Sequence, residues 1–304
     1  MAQNQVSDFK SGFVAIIARP NVGKSTLLNR LVGQKIAITT PLAQTTRKNI
    51  KGIYCDENSQ IVFIDTPGIH KPKNKLGEAL LVQSKSIADD VDLILFLVDA
   101  NFEAGRGDKW IFENYIKEAK SPVLLVLNKV DTIADLAKRE VNTYSYKKLF
   151  EKPVESVKIS AKTGRNINDL IEKIKKYIPE GQKLYDDDEV TDSNMREIAS
   201  EIIREKIIFL TKDEIPHNCA VIIENYSEEE NMDRISAQII VASDSQKKII
   251  IGKGGAMIKE IGTRARLELE KILEKKVFLE LFVKVVKNWQ KDDNFIKSLG
   301  LDVK

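Results

Sequence analysis

Residues 13–26 restrict this chain more than any other stretch. Phe13–Ala18 is an apolar run of strand character that leads into Ala18-Arg19-Pro20-Asn21-Val22-Gly23-Lys24-Ser25-Thr26. A helical pattern, Lys24–Val32, starts inside that loop and stops at Gly33. A strand that turns through a tight loop into a helix gathers consecutive backbone N–H groups and the positive helix end around one point, a receptor for phosphate oxygens. Gly23 lets the backbone approach, Lys24 reaches the β- and γ-phosphates, and the Ser25 hydroxyl ligates Mg2+. The stretch matches G-x-x-x-x-G-K-[ST] except at its first position. Ala18 stands there, and its methyl is a small intrusion while the residue keeps a negative φ.

The rest of the first half alternates in the same way. Strand candidates are Lys48–Cys55, Ile61–Asp65, Val91–Val98, Val123–Asn128 and Val154–Ile159; helix candidates are Leu76–Asp89, Lys109–Ala119, Ala134–Leu149 and Ile167–Tyr177. Near-continuous apolar strands between helices predict a doubly wound α/β sheet covered on both faces. Pro179-Glu180-Gly181 ends the last helix and an acidic stretch follows. We therefore read 1–178 as the first domain, 179–190 as a linker and 191–304 as a second domain, which 304 residues are enough to fill. Cys55 and Cys219 stand too far apart for a zinc knuckle or disulfide framework, which suits a reducing compartment. No run approaches the ~18–20 apolar residues of a membrane span, and the first residues carry no basic start or apolar stretch of a secretion signal. A cytoplasmic protein is expected.

Three more loops follow strands. Asp65-Thr66-Pro67-Gly68 offers an Asp to the Mg2+ shell and the Gly68 N–H to a γ-phosphate. Asn128-Lys129-Val130-Asp131 names the base, because a carboxylate such as Asp131 accepts both N1–H and N2–H of guanine, whereas adenine has an acceptor at N1 and no amine at C2. Ser160-Ala161-Lys162 presents a backbone N–H to guanine O6. Each tetrapeptide alone is an ordinary turn signal. Four in order, each at the carboxyl end of a strand, where open α/β sheets bind ligands, predict a guanine-nucleotide site.

Pro20-Asn21-Val22-Gly23-Lys24-Ser25-Thr26, Gln44-Thr45-Thr46-Arg47 and Asp65-Thr66-Pro67-Gly68-Ile69-His70 resemble the translation-factor class of small GTPases and, within it, the Era-like ribosome-assembly GTPases. A single phosphate loop excludes the related double GTPase. The resemblance implies Mg2+-dependent hydrolysis of GTP; we read Thr46, with its neighbour Thr45 as the alternative, as the switch threonine that joins Ser25 and Asp65 as a Mg2+ ligand in the GTP state. The resemblance also implies that Asn21 helps hold K+ beside the phosphates in place of an arginine finger; turn chemistry after Pro20 is the competing reading. Lys24, Asn21, Thr46 and Gly68 are then the catalytic candidates. Ile69 stands where Ras-like enzymes carry a water-positioning glutamine, and isoleucine cannot hydrogen-bond water. His70 reads as an exposed loop histidine rather than a general base.

The second half has the order helix (Asn194–Leu210), strand (Cys219–Tyr226), strand (Ile235–Val241), helix (Ser245–Ile251), helix (Ala256–Glu274), and a strand in which Leu279, Leu281, Val283 and Val285 alternate with Glu280 and Lys284. Gly252-Lys253-Gly254-Gly255 joins the two helices. This α+β layout is that of a KH domain, here of type II, whose G-x-x-G loop clamps about four single-stranded nucleotides. Lys247, Lys248, Lys259, Arg264 and Arg266 flank the loop, and Lys259 and Arg266 fall on similar faces of one helix. The net charge of +3 hides this polarity: Gln246–Lys276 carries nine basic and four acidic residues inside a domain that is slightly acidic overall. The resemblance implies single-stranded ribosomal RNA near the 3′ end of the small-subunit RNA and a role in small-subunit assembly; nothing in the sequence points to an obligate oligomer, so a monomer is the default expectation. The resemblance leaves room for peripheral association with the inner face of the cell membrane, where the same lysines would meet anionic lipid. Trp289 and Phe295 read as packing of a terminal helix, with base stacking as the alternative.

Overall fold

The apolar runs of the first half become one six-stranded sheet. In the computed structural model, which describes residues 9–40, 49–69, 75–88, 90–212, 214–216 and 218–299, the strands are β1 (Lys10–Ala18), β2 (Ile50–Cys55), β3 (Ser59–Asp65), β4 (Leu93–Asp99), β5 (Val123–Asn128) and β6 (Ser156–Lys158). Their order is β2-β3-β1-β4-β5-β6. Only the β2–β3 pair is antiparallel. Every residue of β3 and β4 is buried, so both faces of the sheet are covered. The helices are α1 (Lys24–Val32), α2 (Lys75–Ala88), α3 (Arg106–Ile111), α4 (Leu136–Lys147) and α5 (Ile167–Ile174). One layer of the core packs Ile17, Phe96, Val98 and Leu125 with Ile111, Tyr115 and Tyr146. The strand order reverses around β1, so the loop leaving β1 opens at a topological switch point.

Several element ends differ from expectation, each for a local reason. The strand expected to start at Ile61 begins at Ser59, because two polar residues are satisfied inside the fold. Ser59 Oγ donates to Asp56 at 2.9 Å, and the Gln60 side-chain carbonyl accepts the N–H groups of Leu184 and Tyr185 at 2.6 and 2.9 Å. The helix expected from Lys109 starts at Arg106, where the Asp108 carboxylate accepts the Gly105 N–H at 3.0 Å, and it passes into a π-helical turn over Phe112–Ile116. The Val154–Ile159 strand pairs only over Ser156–Lys158, and the helix from Ile167 ends at Ile174.

The stretch 179–190 lies along the sheet rather than hanging free. Ser11 N–H donates to Pro179 O, Gly181 N–H to Phe9 O and Ile53 N–H to Val190 O. By contacts the chain divides into two units, one of residues 9–36, 49–69 and 80–192, the other of 37–40, 75–79 and 193–299.

The second unit contains α6 (Met195–Leu210), β7 (Cys219–Glu228), β8 (Met232–Val241), α7 (Asp244–Ile251), α8 (Ala256–Leu273), β9 (Lys276–Val285) and α9 (Asp293–Ser298). The sheet order is β7-β8-β9, with β7 and β8 antiparallel and β8 and β9 parallel. Ile202, Ile203 and Ile207 of α6 and Ile261, Ala265 and Leu269 of α8 pack on Ala237 and Ile239 of β8. Trp289 is fully buried, donates from Nε1 to Asn218 O at 3.3 Å and packs against Phe295 at 5.8 Å, so it is a core residue and not a stacking platform. Among the described residues no helix is long and apolar enough to cross a membrane.

Candidate functional site

The loop after β1 is tied residue by residue to other elements. Ala18 is fully buried and does not adopt positive φ, so its methyl is accommodated, and its carbonyl accepts Ile69 N–H at 3.1 Å. The Arg19 side chain bonds Asp108, the Asn21 carbonyl accepts from Lys129 Nζ at 2.6 Å, and the Val22 carbonyl accepts from Asn128 Nδ2 at 2.8 Å. Asn21 (φ 63°) and Gly23 (φ 99°) turn the chain into α1. Only glycine fits at position 23, since a Cβ there would stand 2.5 Å from Asn128 Nδ2.

Lys24 opens α1 and is 7% exposed; burial pushes its ammonium pKa below the ordinary value, while the charge of Asp65 opposes the shift. Ser25 Oγ donates to Asp65 Oδ2 at 2.9 Å. A hydroxyl and a carboxylate brought together from two motifs are the hard oxygen donors that Mg2+ takes. Thr66 Oγ1 donates to Ile16 O at 2.9 Å and fixes the turn after β3. Ile69 belongs to the core cluster at 1% exposure, so its side chain serves packing. Gln44, Thr45, Thr46, Arg47 and His70 lie outside the described residues.

On the base side, the Asn128 amide links both halves of the site, donating to Val22 O and accepting the Ala161 N–H at 2.9 Å. Lys129, at φ 66°, also pairs with Asp99 at 2.8 Å. Burial works to raise the Asp99 carboxyl, but Lys129 and Asn101 hold it below its ordinary value. Asp131 is exposed in the short helical turn Val130–Thr132. Because Ala161 N–H is engaged by Asn128, the N–H of the 160–162 loop left for a base oxygen is that of Lys162. Arg30 of α1 holds the same loop, donating to Ala161 O at 3.2 Å and Lys162 O at 2.8 Å. Arg30, Asp99 and Asp108 escaped the motif reading because each acts on a loop distant in sequence.

In the second unit Gly252, Gly254 and Gly255 all take positive φ. A Cβ on Gly252 would meet Met257 Cβ at 2.7 Å, whereas those on Gly254 and Gly255 would meet nothing within 4 Å. The loop is therefore built at Gly252 and open at its tip, where Lys253 is exposed. Lys259 and Arg266 line one cleft with Ile258, Gly262, Thr263, Leu279 and Leu281. Arg264 is not among its lining residues and pairs with Glu260. Arg266 pairs with Glu270 at 2.8 Å. Among the described residues the side chains of Lys247, Lys248, Lys253 and Lys259 make no ion pair, so no carboxylate neutralises their charge. Gly262, Leu279 and Leu281 were legible only as helix and strand positions.

A phosphate loop hydrogen-bonded to a guanine motif, in a chain that also holds an αββααβ unit with a G-x-x-G loop, defines the class: a P-loop GTPase carrying a KH domain. The family described as 50S ribosome-binding GTPase matches residues 13–129, and the KH domain family matches residues 214–290. GTPase Era of Staphylococcus haemolyticus (strain JCSC1435) is 47% identical over 297 residues, 97% of this chain and 98% of that protein. Two solved structures are similar over 96% of this chain and 99% of theirs, each at 42% identity. They are Era in complex with MgGDPNP and nucleotides 1506–1542 of 16S ribosomal RNA (TM-score 0.93) and a single-substitution variant of Aquifex aeolicus Era bound to GDP.AlF4- (TM-score 0.92). The chain belongs to the Era family, and its activity is the hydrolysis of GTP to GDP and phosphate.

Proposed function

We propose that this chain is a cytoplasmic GTPase of small-subunit assembly that binds single-stranded RNA from the 3′ end of the small-subunit ribosomal RNA through Gly252-Lys253-Gly254-Gly255 and the adjoining cleft, with nucleotide state governing RNA affinity. The observation that carries the nucleotide half is the Asn128 amide, which joins the guanine motif to the phosphate loop. The RNA half rests on an open loop tip beside a cleft that has both apolar and cationic walls. The relative solved with 16S nucleotides and MgGDPNP supports both. The apolar lining of Ile258, Leu279 and Leu281 favours bases over the lipid headgroups of a membrane surface.

The residues divide the work by position. Lys24 sets a cation against the terminal phosphates, Gly68 offers its N–H to the γ-phosphate, and Asp131 with the Lys162 N–H reads the guanine edge. Ser25 and Asp65 would hold Mg2+, whose charge would neutralise the phosphate oxygens. Ile69 is packed away, so the attacking water is placed by backbone groups or by a partner. Asn21, exposed at the loop's turn, is the K+ ligand in this reading.

Single-turnover GTP hydrolysis by the full chain, with and without an oligonucleotide of the small-subunit 3′ end, tests the proposal. Hydrolysis that rises with the RNA and falls when Na+ replaces K+ supports it. Equal rates in the two salts remove Asn21 from the mechanism, and no effect of RNA removes the partner.

A further inference from the structure

Among the described residues, the side-chain ties from the phosphate loop to Asn128 and Lys129 come from a motif that itself meets the nucleotide. Arg19 is different. Its side chain leaves the loop and reaches the first turn of α3, where Nε donates to Asp108 Oδ1 at 2.6 Å. Asp108 is 1% exposed, and its other oxygen accepts the Gly105 N–H at 3.0 Å, so the carboxylate is committed on both sides. Gly107 completes the seat: a Cβ there would stand 2.8 Å from Arg19 Cδ. The fully buried Tyr146 lies beside the pair on the core side. Nothing in 101–107 is a nucleotide motif, and Phe102 in that loop is 62% exposed.

A buried carboxylate that holds an arginine by its Nε fixes the direction of the whole side chain, and with it the backbone that bears it. Asp108 therefore anchors the first half of the loop, while Asn128 and Lys129 anchor the second. Its Nε–H is committed to Asp108, which directs the Arg19 side chain toward α3.

We propose that Arg19 is a positioning residue: tied to Asp108, it holds the entry of the phosphate loop in its nucleotide-ready shape and sets how long a bound guanine nucleotide resides. The proposal rests on the nucleotide-binding reading above, which binding of a fluorescent GDP analogue to the unaltered chain tests separately.

The experiment is release of that analogue from the full chain carrying Asp108→Asn, Gly107→Ala, Arg19→Ala or Arg19→Ala with Asp108→Asn. Gly107→Ala removes no charge and raises helix propensity, yet it pushes on Arg19. Release about tenfold faster in each single variant, with the double variant no faster than the faster single, is the expected result. For Gly107→Ala, single-turnover hydrolysis at saturating GTP stays within about twofold and the variant melts no lower than the parent. If Asp108→Asn does not fold, Gly107→Ala carries the test. Release unchanged in Asp108→Asn and Gly107→Ala but faster in Arg19→Ala makes Arg19 a phosphate ligand and overturns the proposal. Release unchanged in all variants leaves the pair a purely structural contact and overturns it equally.

Discussion

Gly23→Ala tests whether the phosphate and guanine halves of the site form one unit. Two separable effects follow from the geometry. An alanine held at φ 99° costs about 1–2 kcal/mol of backbone strain. Its Cβ, 2.5 Å from Asn128 Nδ2, also displaces an amide that makes two buried hydrogen bonds, to Val22 O and from Ala161 N–H. Each of those is worth about 1–3 kcal/mol when its partner is left buried. Together the three contributions cost about 3–8 kcal/mol, or roughly two to six decades if it all fell on nucleotide binding. Gly33→Ala is the control, because Gly33 also has positive φ (80°) but its Cβ would meet nothing within 4 Å. GDP affinity by fluorescence titration and thermal melting read the two effects apart. Gly33→Ala lowers the melting temperature and leaves GDP affinity unchanged, whereas Gly23→Ala weakens GDP at least about thirtyfold. A Gly23→Ala chain that binds GDP within about threefold of the parent refutes the reasoning.

Three further outcomes are expected. Asp131→Asn weakens GTP at least about a hundredfold and improves xanthosine triphosphate, checked by competition titration, because an amide can donate to the xanthine oxygen. Asp56 accepts from Tyr54, Asn58 and Ser59 and pairs with Lys175 at 2.8 Å; burial works to raise its carboxyl, but these partners push it down to about 2. Its stabilisation, at most about 2 kcal/mol, is complete above the ordinary carboxylate pKa and is lost as the pH falls toward 2. Asp56→Asn therefore lowers denaturant stability at pH 7 and flattens its decline in acid. Gly262→Leu fills the cleft between α8 and β9 and weakens RNA binding at least about tenfold with GDP affinity unchanged, as gel-shift and fluorescence titrations would read.

Local chemistry made most of this protein legible before its fold was seen. The unbroken apolar runs of β4 and β5 mark central strands because both faces are buried, and Gly33 marks a stop that acts through its own left-handed backbone. The phosphate and guanine loops were readable because each carries its chemistry within a few residues. What stayed hidden depends on contacts across the chain. The strand expected to start at Ile61 includes Gln60, whose side chain is satisfied by Leu184 and Tyr185, 124 and 125 residues away. The start of α3 depends on contacts the sequence does not show: the Gly105 N–H is taken by Asp108, and Gly107 makes room for Arg19. Arg30 carries no motif, and its grip on Ala161 and Lys162 exists only once α1 and that loop are neighbours. The basic surplus of Gln246–Lys276 was visible in the sequence, but its partition into paired and unpaired side chains was not. In that segment Arg264, Arg266 and Lys275 make ion pairs, whereas Lys247, Lys248, Lys253, Lys259, Lys271 and Lys276 make none among the described residues.

The central claim is that the nucleotide held by the first unit governs RNA binding by the second. Its most direct test is the affinity of the full chain for a single-stranded oligonucleotide of the small-subunit 3′ end, titrated at fixed salt with GDP and with a non-hydrolysable GTP analogue. The account predicts tighter RNA binding in the GTP-analogue state by at least about fivefold, the lower end of ordinary coupling between sites. It also predicts that the same RNA tightens the GTP analogue by the same factor. Equal RNA affinities in the two states would contradict it.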